Sequence, residues 1–105
     1  MVKYISMFSL KPGRFSPDEA YQYWREKHTK WAKEKLVPDI KKYVIGRVVD
    51  KFGDVDAYGV VQMWYDDAAT ARKAMQRVFD SPPDEFQEIL TNARRVIIEE
   101  EEIEL

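Results

Sequence analysis

Hydrophobic positions along the chain switch between the two-residue period of strands and the three-to-four-residue period of helices. Residues 2–10 read VKYISMFSL and are rich in Val, Tyr, Ile and Phe, and the KPGR segment at 11–14 follows them. Strand formers followed by a Pro-Gly pair are typical of a strand that ends in a turn. We therefore expect a first strand over Val2–Leu10.

A helix is predicted directly after this turn. Ser16 is placed to cap it, Pro17 suits the first helical position, and Glu19 completes a capping box. The helix should end before Pro38, because proline disfavours helical geometry in the residue before it. Residues spaced by three and four share one helical face, and these are Ala20, Tyr23, Trp24, Lys27, His28 and Trp31.

The second half of the chain continues the alternation of strands and helices. Two strands are predicted over residues 40–50 and 56–65, and Gly53 and Asp54 in the KFGD segment between them suit a hairpin-like reversal, so the strands should pair antiparallel. A second helix should begin near Asp66 or Asp67. Ser81 and the prolines after it predict a short third helix, with an apolar face of Phe86, Ile89 and Leu90.

The last predicted strand covers residues 96–98, and the acidic run 99–102 is interpreted as its solvated end. The resulting order of elements predicts an α+β sandwich with the ferredoxin-like βαββαβ topology, in which helices cover one face of a four-stranded sheet. With 105 residues the chain has the size of one domain, 1–105.

The predicted strands are apolar on both sides, which a sheet with one solvated face would not be. In the third strand, alternation predicts that one side carries Tyr58, Val60 and Trp64 and the other side carries Val61, Met63 and Tyr65. In the second strand, one side carries Tyr43, Ile45 and Val49 and the other carries Val44 and Val48. A second copy of the chain is the simplest cover for the other face, which predicts a homodimer. The alternative is a monomer with scattered apolar surface residues.

Composition excludes several functional classes. Hydrophobic residues make up 45% and charged residues 34%, and the net charge is −2, which argues against nucleic acid as a partner. With no cysteine there is no disulfide, thiol nucleophile or thiolate metal site. No segment has the length and apolarity of a membrane span or a signal peptide. We expect a cytoplasmic protein that contacts no membrane.

His28 is the only histidine and therefore the main candidate for acid/base chemistry. It could be a pocket base or a structural residue that donates one hydrogen bond. Trp24 and Trp31 beside it could contact a ligand or only fill the core. Glu26 and Asp39 are candidates to fix the tautomer of the imidazole.

Cofactor chemistry has little support in the sequence. A single histidine without cysteine makes a protein-only metal site improbable, and no glycine-rich phosphate loop is present. Haem, which needs one axial histidine, is the alternative to a cofactor-free protein.

Several ordered motifs resemble the EthD family of the dimeric α+β barrel superfamily. They are the Lys-Pro-Gly turn at 11–13, the Ser-Pro-Asp-Glu cap at 16–19, Tyr23-Trp24 and His28, and the segment DAYGVVQMWYDD at 56–67. The resemblance covers most of the chain. It implies a barrel built from two subunits, each with a small-molecule pocket between sheet and helices. Cyclases and isomerases of this type often use a second histidine or a tyrosine, and this chain has no second histidine.

Two functions follow as expectations. The first is a cofactor-independent enzyme for a hydrophobic cyclic or aromatic carbonyl compound, of cyclase, dehydratase, isomerase or oxygenase type, with His28 as acid/base. Tyr43, Tyr58 and Tyr65 are candidate phenol donors to an enolate oxygen, and Met63 is a candidate ligand contact. The second is a dimer that binds a hydrophobic small molecule without catalysis, and a purely structural dimer is a third reading. A cavity of several hundred cubic ångströms beside His28 would support the first two functions, whereas a filled interior would favour the purely structural dimer.

Overall fold

Four strands form one antiparallel sheet, and helices cover one of its faces. The computed structural model describes residues 1–105. The strands are β1 (Val2–Leu10), β2 (Lys42–Arg47), β3 (Gly59–Tyr65) and β4 (Leu90–Glu99), in the order β2-β3-β1-β4 with every neighbouring pair antiparallel. The helices are α1 (Pro17–Tyr23), α2 (Thr29–Leu36), α3 (Ala68–Asp80) and α4 (Glu85–Ile89). The predicted ferredoxin-like topology is confirmed.

The N-terminal caps of α1 and α3 lie where the sequence predicts them. Ser16 Oγ accepts from the Glu19 N–H at 3.1 Å, and a Glu19 carboxylate oxygen accepts from the Ser16 N–H at 3.0 Å, which completes the capping box. At the start of α3, Asp67 accepts from the Thr70 N–H at 2.7 Å. Each bond satisfies an amide that the first helical turn leaves without a backbone partner.

The predicted uninterrupted helix is instead divided by a π-helical turn, Trp24–His28, between α1 and α2. Within it the Thr29 N–H donates to the Trp24 carbonyl, five residues back. The Thr29 hydroxyl donates to the Arg25 carbonyl at 2.7 Å, the acceptor that the Thr29 N–H would use in an α-helix. The side chain thus replaces a backbone bond that the wider turn gives up.

The two middle strands are shorter than predicted, and a long connection over residues 48–58 replaces the tight reversal. Gly53 still makes a turn there, with φ of +77°. Val49 is 93% exposed because β2 has already ended at Arg47. Tyr58 precedes β3, so the predicted alternation does not apply to it, and its hydroxyl donates to the Pro17 carbonyl at 2.6 Å.

The start of the short helix and the extent of the last strand were predicted wrongly. Ser81 ends α3, where its hydroxyl donates to the Arg77 carbonyl at 2.7 Å, and α4 begins after Asp84. Leu90 belongs to β4, which continues to Glu99. The first half of β4 is largely polar, so the hydrophobic pattern missed it, although β1 supplies its backbone partners.

The two faces of the sheet differ in their surroundings. The helix-facing side packs into the core through Tyr4, Phe8, Val61, Met63 and Tyr65. The outer face carries Ile5, Met7, Val44, Val60, Val96 and Ile98, and Val96 is 55% exposed. None of the helices combines the length and apolarity that crossing a bilayer requires.

Candidate functional site

His28 is the last residue of the π-helical turn, and it lines a cavity between the sheet and the helices. The residue is only 7% exposed. The Trp31 ring stacks on the imidazole with centroids 5.3 Å apart, and the Phe86 ring lies 4.9 Å away. A π-helical turn often marks a functional position. The turn begins at Trp24 and ends at His28, and both residues are buried.

Asp84 is the hydrogen-bonding partner of His28, across 56 residues of sequence. The Nδ1 atom of His28 lies 2.8 Å from Asp84 Oδ2. Asp84 is also the N-cap of α4, where its Oδ1 accepts from the Gln87 N–H at 2.8 Å. The carboxylate is therefore held in position by the start of a helix while its second oxygen orients the imidazole.

The charge of Asp84 determines which nitrogen of His28 is free to react. Burial raises the pKa of the Asp84 carboxyl, but hydrogen bonds from His28 and the Gln87 N–H outweigh burial, so the net pKa is lowered. An ionised carboxylate only accepts hydrogen bonds. In the neutral imidazole the proton is thus assigned to Nδ1, and Nε2 carries the lone pair that a base needs.

A cavity of about 50 Å³ lies beside His28 between the sheet and the helices. It has room for one or two water molecules, well below the roughly 300 to 1,000 Å³ of small-molecule sites. The space beside His28 taken alone therefore favours the purely structural dimer, and a ligand there requires a connection to a larger space. A groove of about 450 Å³ lies between α3 and β4 and shares four lining residues with the cavity. The shared residues are Tyr4, Met75, Phe79 and Arg95. The groove therefore adjoins the small cavity.

The residues singled out in the sequence fall into two groups. Those that line the cavity are His28, Trp24, Tyr43 and Met63. Trp31 stacks on His28 without lining the cavity, and Tyr58 lies outside it. Tyr65 also lies outside, and its hydroxyl faces the sulfur atoms of Met63 and Met75 at 3.4 and 3.6 Å. Only one of the three candidate phenols, Tyr43, thus reaches the cavity.

The expected partners of the imidazole were wrong. Glu26 lies 3.5 Å from Arg25, and Asp39 accepts from Arg77 at 2.6 Å. The sequence did contain a signal for Asp84, because Asp followed three residues later by Gln87 is typical of a helix N-terminus. Tyr4 and Ser6 are further polar residues of the cavity that sequence reasoning missed. Both lie on β1 on the side that faces the helices.

Burial keeps the phenols of the cavity protonated. Burial is the main reason why the pKa of Tyr43 is raised, and the negative charge of Asp84 adds to the effect. Burial also raises the pKa of Tyr4, although the Arg95 charge opposes this. Both side chains therefore remain hydrogen-bond donors at neutral pH.

The residues present do not fit a haem group. His28 could offer Nε2 as an axial ligand, but the cavity of about 50 Å³ beside it is far smaller than a porphyrin requires. The larger groove does not include His28 among its lining residues. No group of three or more His, Asp or Glu side chains converges to hold a metal ion.

Comparisons with known proteins identify the family and the fold. The sequence profile of the EthD domain matches residues 12–85. A solved structure of an ethyl tert-butyl ether D family protein from Bacillus halodurans is 20% identical, with 96% of this chain and 99% of that chain covered and a TM-score of 0.61. SnoaB, a cofactor-independent oxygenase from Streptomyces nogalater, is 14% identical, with 97% and 94% covered and a TM-score of 0.60.

A third similar structure, a variant of MhuD, contains two manganese protoporphyrin IX molecules per active site. It is 17% identical, with 94% of this chain and 93% of that chain covered and a TM-score of 0.59. No curated protein sequence matches the chain. At these identities the solved structures show the shared fold, and similar folds carry both cofactor-independent and porphyrin-binding sites.

Proposed function

The chain belongs to the EthD domain family, and we propose that it is a small enzyme that moves a proton on a hydrophobic cyclic or aromatic carbonyl compound. The observation that carries the proposal is the buried Asp84–His28 pair, 2.8 Å apart, at the wall of an aromatic cavity. A carboxylate that orients an imidazole is a recurrent arrangement for general acid/base catalysis.

The proposed reaction begins with a proton on the carbon next to the carbonyl group. His28 Nε2 takes this proton, and the ionised Asp84 stabilises the imidazolium that forms. The electron pair of the broken C–H bond moves into the carbonyl, whose oxygen becomes an enolate. Tyr43 is the proposed donor to this oxygen, and the raised pKa of its phenol keeps the donor protonated.

Return of the proton to another carbon of the enolate system gives an isomer. If the substrate carries a second carbonyl group, the enolate carbon attacks it to close a ring, and the imidazolium proton goes to the oxygen of that carbonyl. If it carries a β-hydroxyl group, the hydroxyl leaves with the imidazolium proton as water, and none of these steps needs a cofactor.

Access to His28 is proposed to run through the groove between α3 and β4. The cavity of about 50 Å³ is too small for a whole substrate, but Phe79 and Met75 line both spaces. Phe79 is 44% exposed, and methionine side chains adapt their shape readily. Movement of these two side chains would join the groove to the cavity.

The test is deuterium exchange, which detects proton abstraction even when the natural substrate and its product are not known. A panel of cyclic and aromatic ketones and lactones is incubated with the protein in D₂O and followed by NMR. The parent should catalyse exchange next to a carbonyl, His28→Gln should lower the rate by about 10²-fold or more, and Asp84→Asn by at least about tenfold.

Asp39→Asn is the matched control, because the Asp39 carboxylate is bonded to Arg77 and does not line the cavity. This variant should exchange at the parent rate. A His28→Gln protein that is folded and as fast as the parent contradicts the proposal, and so does a parent that catalyses no exchange across the panel.

A second proposal is a hydrophobic small-molecule-binding protein without catalysis. The groove of about 450 Å³ supports it, since this volume suits a ligand whereas the cavity at His28 does not. A compound that raises the melting temperature without any exchange would favour this second function over the first.

In both cases we propose that the protein is a homodimer with the two sheets face to face. The apolar outer face of the sheet supports this, because no segment of the chain covers Val60, Val96 or Ile98. Light scattering at micromolar concentration should give twice the chain mass of 12.5 kDa. Val60→Glu should yield a monomer, whereas Ala69→Glu on the exposed side of α3 should not. A parent that is monomeric contradicts the proposal.

A further inference from the structure

The groove between α3 and β4 has a composition that points to one class of ligand. One stripe of α3 forms its first wall through Arg72, Met75, Gln76 and Phe79, which are spaced as helical neighbours. β4, an edge strand of the sheet, forms the second wall with Arg95, Val96 and Ile97. Apart from the two arginines, the lining of the groove is largely apolar.

The two arginines of the groove have no ion-pair partner. Four other arginines each lie within 4 Å of a carboxylate, namely Arg14, Arg25, Arg47 and Arg77. Arg72 and Arg95 pair with none, and no aspartate or glutamate lines the groove. A chain with a net charge of −2 thus presents a local site with two positive charges and no negative one. Such a site attracts an anion.

Arg95 lies at the junction of the groove and the cavity. Its guanidinium carbon is 5.0 Å from the centroid of the Phe79 ring, and both residues line both spaces. A guanidinium group near an aromatic ring retains N–H donors that can bind a carboxylate with two parallel hydrogen bonds. The aromatic contact therefore holds Arg95 beside the passage to His28, and no carboxylate of the protein pairs with its guanidinium.

We propose that the groove binds a hydrophobic carboxylic acid, with its carboxylate on Arg95 and Arg72 and its apolar body against Met75, Phe79 and Ile97. The proposal rests on the proposed function in one respect, since it names the substrate class of the same site. The carboxylate is then held beside the passage to His28, and the apolar body lies along the groove. Arg95 and Arg72 are thus specificity-determining residues.

The test compares two probes of the same shape that differ in charge, 2-naphthoate and 2-naphthamide, by calorimetric titration at low salt. The parent should bind the carboxylate about tenfold more tightly than the amide, and this preference should shrink in 0.5 M NaCl. Arg95→Gln and Arg72→Gln should each remove most of the preference. Arg95→Lys, which keeps the charge and loses the planar fork, should give an intermediate affinity.

Arg94→Gln is the matched control, because Arg94 is the neighbouring strand residue, faces the other side of the sheet and does not line the groove. It should bind both probes like the parent, and thermal melts should establish that all variants are folded. Equal affinity of the parent for the two probes, or a full preference retained by Arg95→Gln, overturns the proposal.

The same titration separates this proposal from the proposed catalysis. His28→Gln should keep the preference for 2-naphthoate, since His28 does not line the groove. Binding with the predicted charge preference but without any deuterium exchange by the parent would contradict the catalytic function and support the anion site. Deuterium exchange by the parent without any preference for 2-naphthoate would support the catalytic function and contradict the anion site.

Discussion

Gly59→Ala is expected to disturb the core at the point where the sheet meets the candidate site. A Cβ atom added at Gly59 would lie 2.7 Å from both Cη2 and Cζ3 of Trp24 and 3.1 Å from Cζ of Phe8. Carbon atoms in contact prefer about 3.5–4.0 Å, so the indole must retreat by about 1 Å. Trp24 is 1% exposed, and the cavity of about 50 Å³ that it lines offers the indole little room to move.

The displacement of the Trp24 indole should reach His28 through the Phe86 ring, which contacts both. Trp24 stacks on Phe86 with centroids 5.4 Å apart, and Phe86 lies 4.9 Å from the His28 ring. Overpacking of a well-packed core costs about 1–3 kcal/mol. For a chain of this length each kcal/mol lowers the melting temperature by about 4–8 °C. We therefore expect a fall of about 4–24 °C together with a change in the NMR signal of the Trp24 indole N–H.

Two further variants make the interpretation specific. Gly46→Ala places its Cβ 3.7 Å from the Val60 carbonyl oxygen, an ordinary contact, and should change the stability by less than about 0.5 kcal/mol. Trp24→Phe in the Gly59→Ala background should recover part of the loss, since the smaller ring makes room for the methyl group. A Gly59→Ala protein as stable as the parent, with an unchanged Trp24 signal, would refute the reasoning.

Two other predictions concern the groups that position His28. Thr29→Val removes the hydroxyl that donates to the Arg25 carbonyl at 2.7 Å. It should lower the free energy of unfolding in urea by about 0.5–1.5 kcal/mol; an unchanged midpoint would show that the π-helical turn does not need this bond. The folded-state pKa of Asp84 lies below its ordinary value of about 3.9. Its contribution to stability is therefore present above that pH and lost as the pH falls through the folded pKa. Asp84→Asn should be less stable than the parent at neutral pH and show a flatter loss of stability below about pH 4, and parallel pH curves for the two proteins would contradict this.

Elements whose signals are local could be predicted from the order of residues alone. β1 is bounded by its own alternation and by the Pro-Gly turn that follows it, and it runs over Val2–Leu10 as predicted. The start of α1 is set by contacts between residues three apart, Ser16 and Glu19, and the start of α3 by Asp67 in the same way. The topology follows from the order of such elements, since short connections leave few arrangements open. The position of His28 on an apolar helical face was predictable for the same reason.

Features that depend on distant partners became apparent only in the folded chain. The pairing of His28 with Asp84 joins residues 56 positions apart, and no periodicity links them. The first half of β4 is a strand because β1 lies beside it, although its own residues are largely polar. The size of the cavity depends on how Trp24 and Phe86 pack against each other and on the space that Gly59 leaves for the indole. The charge of the groove arises because the fold brings Arg72 and Arg95 together without a carboxylate. Each of these features depends on contacts between separate elements of the fold. The pattern of residues along the chain does not show which elements will meet, so these contacts could not be predicted from it.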